Sequence, residues 1–174
     1  MDPIKLLEQQ HEETLAALET LRRSEPGPER KKLFTTMQQD LVAHMAIEEE
    51  LFYPTVAENQ PEGEPIAEAY EEHSGARVAM DRCSRALAEV ELFAVRISVL
   101  KEMVSHHIEE ERNEIFPLAR RAVEKSVLDL LGEDMAARFE KAKKGRSPAS
   151  ELNRKSTNRA RSALEGNGGA HAHR

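Results

Sequence analysis

The chain has 174 residues, enough for one domain with a short extension. Its hydrophobic content is 39%, but aromatics are only 4% and Trp is absent, so the core must be built from Leu, Ala, Val, Ile and Met, which suits packed helices and not a β-sandwich. A net charge of -7 argues against a nucleic-acid surface, since phosphate contacts need a basic excess. The single cysteine, Cys83, excludes an internal disulfide, fits a reducing cytoplasm, and reads as a small buried hydrophobe. The N-terminal "MDPIKLLEQQ" lacks the basic region and apolar run of a signal peptide. No stretch approaches the ~18 apolar residues of a membrane span.

Apolar residues in the first segment fall at Ile4, Leu7, Leu15 and Leu18, with His11 in the gap, which predicts a helix from Ile4 to about Arg23. The breaker "SEPGPE" (24–29) ends it. A second stripe runs through Leu33, Met37, Leu41, His44, Glu48 and Leu51, up to the turn-rich "ENQPEGEP" (58–65). A third reads Ile66, Tyr70, His73, Ala76 or Arg77, Met80 and Leu87. A fourth reads Ile97, Leu100, Val104, His107, Glu111, Ile115 and Leu118. No Gly or Pro marks the boundary between these last two, which is placed near 90–94. Pro54 and Pro117 are expected to kink or end their helices. "SVLDLLGEDMAARFEKAKK" predicts a shorter amphipathic helix interrupted at Gly132, and the polar remainder reads as a disordered tail. The expected architecture is all-α: an antiparallel up-down four-helix bundle over 1–125, a short C-terminal helix over 126–144, and a disordered tail over 145–174.

One pattern is written twice. "HMAIEEELFYP" (44–54) and "HIEEERNEIFP" (107–117) both place His first, Glu fifth, an aromatic tenth and Pro last, and lie 63 residues apart. His11 precedes His44 by 33 residues, and His73 precedes His107 by 34. Each half is therefore a helical hairpin with one His on its first helix and His-x-x-x-Glu on its second. Residues at i and i+4 share a helix face, so His44 with Glu48, and His107 with Glu111, each aim a nitrogen and a carboxylate at one spot. All of these positions lie on the apolar stripes and so point inward.

Six buried polar groups without partners, at about 1–3 kcal/mol each, would cost on the order of 10 kcal/mol, comparable to the whole stability of a domain. A water and hydrogen-bond network could satisfy them, but the repeated arrangement favours metal. Two carboxylates able to bridge, with two imidazoles per half, suit a dinuclear site. Histidine and carboxylate without thiolate suit iron, manganese or zinc. A ferritin-like site is disfavoured, because that fold uses Glu-x-x-His with more carboxylates. His107, not His106, is placed on the seam because it keeps the ten-residue offset to its proline. Glu49, Glu50, Glu109, Glu110 and Glu114 read mostly as a solvated acidic face, with Glu49 or Glu110 able to accept from a ligand imidazole. His171 and His173 in the tail are set aside.

The ordered set His11, His44-x-x-x-Glu48, His73, His107-x-x-x-Glu111, with its trailing "LFYP" and "EIFP", resembles the hemerythrin-like (HHE cation-binding) family over about residues 5–120. The resemblance implies a four-helix bundle around a non-haem centre of two iron ions bridged by oxo or hydroxo, with zinc or manganese as second choices. His11, His44, Glu48, His73, His107 and Glu111 would be the metal ligands. It further implies that the partners are small molecules: O2, peroxide or nitric oxide, bound or consumed in sensing or protection. The alternatives are a catalase-like di-iron enzyme and a non-redox zinc bundle. One departure stands out. Oxygen carriers of the family have His-x-x-x-His on the third helix, whereas here Arg77 follows His73, as in the four-His, two-Glu bacterial members. Arg77 is expected to turn its charge toward the bundle end and pair with a surface Glu. Tyr70 is the candidate to reach the opened metal position, although an ordinary core tyrosine is the simpler reading.

Overall fold

The computed structural model describes residues 1–59 and 63–144. Seven α-helices carry the described chain: α1 (Pro3–Arg22), α2 (Pro28–Ile47), α3 (Tyr53–Asn59), α4 (Glu64–Ser84), α5 (Val90–Glu110), α6 (Phe116–Ala122) and α7 (Lys125–Lys144). π-helical turns at Glu48–Phe52 and Glu111–Ile115 join α2 to α3 and α5 to α6, so each pair is one long helix with a widened turn. The two hairpins, α1–α2 and α4–α5, pack with α1 against α5 and form an antiparallel four-helix bundle. The tail assigned to 145–174, with His171 and His173, lies outside the described residues, as do residues 60–62.

The ends of the elements follow from local chemistry. Asp2 caps α1, its Oδ1 accepting from the Ile4 N–H at 3.0 Å, and Pro3 takes the first turn, where its missing N–H costs nothing. Gly27, at φ 153°, makes the turn into α2 that other residues resist. The gap between α4 and α5 falls at 85–89, earlier than the sequence suggested. The stretch "RALAE" is a good helix former, but tertiary contacts override it: the buried Arg30 guanidinium donates to the carbonyls of Leu87 and Glu89, both at 3.1 Å, and lies over Phe93. α7 likewise corrects the expected break at Gly132, running through it for 20 residues. That glycine is a close-approach position: a Cβ there would lie 2.1 Å from the carbonyl oxygen of Met1. The charged N-terminus donates to the Asp129 carbonyl at 2.9 Å, which ties the chain start to α7.

The core is divided in two. One cluster, including Leu7, Ile47, Phe52, Val56, Ile115, Phe116 and the inner face of α7, fills the end where the long helices pass their π turns. The other, including Leu18, Phe34, Met37, Met80, Cys83, Phe93 and Leu100, fills the opposite end. Between them lies a belt of buried polar side chains: His11, His44, Glu48, Glu49, His73, Arg77, His107 and Glu111. No helix among the described residues is long and apolar enough to cross a membrane.

Candidate metal centre

The structure brings all six predicted side chains together at mid-height of the bundle, each nearly or fully sealed from solvent. They form two sets. His11 Nε2 and His44 Nε2 lie 3.0 Å apart, and His73 Nε2 and His107 Nε2 lie 3.1 Å apart. Glu48 joins the sets: its Oε1 is 3.1 Å from His44 Nε2 and its Oε2 is 3.3 Å from His73 Nε2. Glu111 Oε2 lies 3.2 Å from His11 Nε2 and 3.7 Å from His107 Nε2. His11, His44 and Glu48 thus form one ligand-competent cluster, and Glu48, His73 and His107 the second.

Hydrogen bonds fix which nitrogen faces the centre. Nδ1–H of His44 donates to Gln10 Oε1 (2.8 Å), that of His73 to Glu49 Oε1 (3.0 Å), and that of His107 to Glu72 Oε2 (2.7 Å). Each Nδ1–H is held by an outer acceptor, so Nε2 is the nitrogen turned toward the centre. Burial pushes the His44 imidazole below its ordinary value, toward the neutral form a ligand needs. Burial acts on His107 in the same sense, but Glu111, the hydrogen bond to Glu72 and Glu48 outweigh it and hold its pKa up to about 9. Burial also pushes Glu48 up, yet the facing His44 and His73 keep its carboxyl well below the usual range.

The fit to metal can be tested on the protein atoms alone. Both oxygens of Glu48 and Oε2 of Glu111 are buried with no hydrogen-bond partner among the described residues. Lone pairs of two carboxylates and four imidazoles converging unpaired would repel one another and leave their desolvation uncompensated. Two nitrogens each about 2.1 Å from one ion and at right angles to each other lie about 3 Å apart. The observed 3.0 and 3.1 Å imidazole spacings match that edge. The donor set fits cations.

Several residues that shape the centre were not legible as such. Tyr53, the aromatic of the first repeat, reaches it: its hydroxyl donates to Glu111 Oε1 at 2.9 Å and lies 3.4 Å from His73 Nε2. Burial, then the charges of Glu111 and Glu48, push that phenol well above its ordinary value, so it stays a donor and leaves Oε2 of Glu111 for the centre. Nine residues separate His44 from Tyr53, two and a half turns of an α-helix, which would send Tyr53 to the far face. The π turn absorbs one extra residue and brings it back. Proline at 54 has no N–H to donate and clashes with the carbonyl four residues earlier, which favours this widening. Tyr70, in contrast, gives its hydroxyl to the Glu49 carbonyl at 3.3 Å and packs edge-on to the Tyr53 ring.

Glu49 is the expected acceptor from a ligand imidazole, that of His73, but it is 1% exposed and not on a solvated face, and Arg77 does not turn to a bundle end. The Arg77 guanidinium donates to Glu49 Oε1 at 2.7 Å, a buried pair one step behind His73. Glu110, the other candidate acceptor, instead lies 3.2 Å from the exposed His106. Glu72 and Gln10 occupy matching places, each immediately before the first-helix histidine of its hairpin and each reaching across to the second-helix histidine.

On the bundle side facing the second core cluster, the four imidazoles border a cavity of about 20 Å³ lined by Leu41, Met45, Ala76, Met103 and Val104, with Glu72 as its acidic member. That exceeds the ~10–15 Å³ a single water-sized molecule requires.

An antiparallel four-helix bundle with histidines and carboxylates clustered at mid-height defines a metal-binding helical bundle. The family model of the hemerythrin HHE cation binding domain matches residues 2–119. The chain belongs to that family, whose domain binds metal cations. Its fold is similar to the crystal structure of a hemerythrin HHE cation binding domain-containing protein, the Rv2633c homolog from Mycobacterium kansasii: TM-score 0.75 and 22% identity over 89% of this chain and 99% of that one. No curated protein matches the chain.

Proposed function

We propose that the protein holds a pair of iron ions and reacts there with a small oxidant, O2 or peroxide, or binds nitric oxide, in redox sensing or protection. The observation that carries this reading is the doubled ligand set, joined by Glu48 and Glu111, opening onto an apolar cavity the size of one small molecule. Histidine and carboxylate donors without thiolate suit iron in either common oxidation state. Bound iron would supply one-electron chemistry and affinity for diatomic ligands.

The chain's own residues do the rest. Gln10, Glu49 and Glu72 hold three imidazoles in the tautomer that presents Nε2. Tyr53 pins one oxygen of Glu111 so that the other points at the centre. Met45, Met103 and Val104 give the cavity an apolar wall opposite the imidazoles and Glu72, which suits a small uncharged molecule. Arg77 stands where carriers of the family place a further imidazole and is tied to Glu49, so it supplies no ligand. Two protein nitrogens per ion leave room for an exogenous molecule, which favours reaction over reversible carriage.

The test is metal analysis and stopped-flow absorption. Protein from iron-replete cells should carry two irons per chain with a near-ultraviolet charge-transfer band, and the reduced form should oxidise rapidly on mixing with O2 or peroxide. Colourless protein holding one zinc would replace this reading with the non-redox bundle. A long-lived adduct that releases O2 under vacuum would restore carriage. Catalytic turnover of peroxide at constant iron content would make the protein a catalase-like enzyme.

A further inference from the structure

The internal duplication gives each residue around the centre a counterpart in the other half, and the counterparts differ in chemistry. Gln10 matches Glu72: each precedes the first-helix histidine and accepts from the second-helix one, but the first is an amide and the second a carboxylate. Glu49 matches Arg112: each follows the glutamate that faces the centre, yet Glu49 is buried and accepts from His73, while Arg112 is exposed on the surface. His11 Nδ1 accordingly has no hydrogen-bond partner among the described residues. Tyr53 matches Phe116: the tyrosine hydroxyl comes within 3.4 Å of His73, whereas the phenylalanine stacks on His11. Both imidazoles of one half are therefore backed by carboxylates, and neither imidazole of the other half is.

A carboxylate accepting from the outer N–H of a ligand imidazole makes that imidazole more basic and fixes its orientation, and losing such a partner typically weakens metal binding 10- to 100-fold. Arg77 offsets part of the charge of Glu49, so Glu72 carries most of the difference in charge, while Glu49 still supplies orientation. From this we infer that the two halves have diverged into one tight and one loose cation position: His73 and His107 retain a divalent ion that His11 and His44 give up first. The inference rests on the dinuclear reading above. Glu72 and Gln10 act through the ligand histidines and are positioning residues that set the order of loading.

The test uses full-length protein loaded with Co2+ and equilibrated with graded EDTA, counting cobalt per chain. Wild type should fall from two to one to zero in two steps separated by at least about tenfold in chelator strength. Glu72→Gln should move the tight step 10- to 100-fold toward the loose one without moving the loose step. Gln10→Glu should move the loose step toward the tight one, a gain that a merely structural role for this residue would not produce. A single unresolved step in wild type, or Glu72→Gln shifting only the loose step, would overturn the assignment. A plateau at one cobalt per chain would instead overturn the dinuclear reading beneath it.

Discussion

Arg77→Met isolates the buried ion pair behind His73. Arg77 Nη2 and Glu49 Oε1 are 2.7 Å apart, and both side chains are 1% exposed. The substitution keeps the volume of the stem and removes the charge, leaving the Glu49 carboxylate sealed in the bundle without its cation while the His73 N–H still donates to it at 3.0 Å. Removing one partner of a buried pair costs about 3–5 kcal/mol, because the other charge stays desolvated. In a domain of this size each kcal/mol lowers the melting midpoint by roughly 3 °C, so a drop of about 10–15 °C is expected. Glu49→Gln added to Arg77→Met should recover most of that loss, since the amide oxygen still accepts from His73 and no charge is stranded. Thermal melts followed by circular dichroism on the metal-loaded proteins measure both. If Arg77→Met melts within about 2 °C of wild type, or the double variant melts no higher than the single one, the pair does not stabilise the site as argued.

Tyr53→Phe should cost about 1.5–3 kcal/mol, the range for a hydrogen bond to a charged group, and should broaden the absorption of the metal-loaded protein as Glu111 loses its fixed orientation; an unchanged spectrum and midpoint would count against Tyr53 as the group that orients Glu111. Burial pushes the Cys83 thiol up to about 11, against the opposing charges of Arg96 and Arg82, so at pH 8 about 0.1% is thiolate where an ordinary cysteine has about a quarter. Labelling by iodoacetamide at pH 8 should therefore be negligible until the chain unfolds. The linkage has a definite sign: the raised value gives stability that is complete below the unfolded thiol's value near 8.5 and is lost as pH rises toward 11.

The helices and the six converging side chains were legible because stripe periodicity and the repeat offsets depend only on helical geometry, which holds wherever the helix is regular. What escaped was set by contacts between elements. The start of α5 depends on Arg30, more than fifty residues away, capturing the carbonyls of Leu87 and Glu89. Gly132 sits inside α7 where Met1 lies too close for a side chain, a contact between chain ends that the local sequence does not show. Sequence reasoning sends the Arg77 charge to the bundle end and puts Glu49 mostly on a solvated face because buried charges are rare on helices, and only their pairing makes burial tolerable.

The doubled "LFYP" and "EIFP" endings hold the least legible part of the site, and the reason is a change of period. Each π turn begins on a glutamate that faces the centre, and each is followed within six residues by its proline. Up to Glu48 and Glu111 the 3.6-residue rule orients every side chain correctly. Beyond them the turn takes one extra residue, so that Ile115 and Leu118 are buried as the stripe predicts but Tyr53 and Phe116, which the same count sends to the outer face, also lie against the centre. A second copy of the motif could have exposed the error. Two prolines at the same offset from two inward histidines, in helices that must continue in order to bury Val56 and Leu118, require a widened turn before each proline. Once that turn is admitted, the aromatic before each proline returns to the seam. A tyrosine in one copy and a phenylalanine in the other then already distinguish the two halves of the centre.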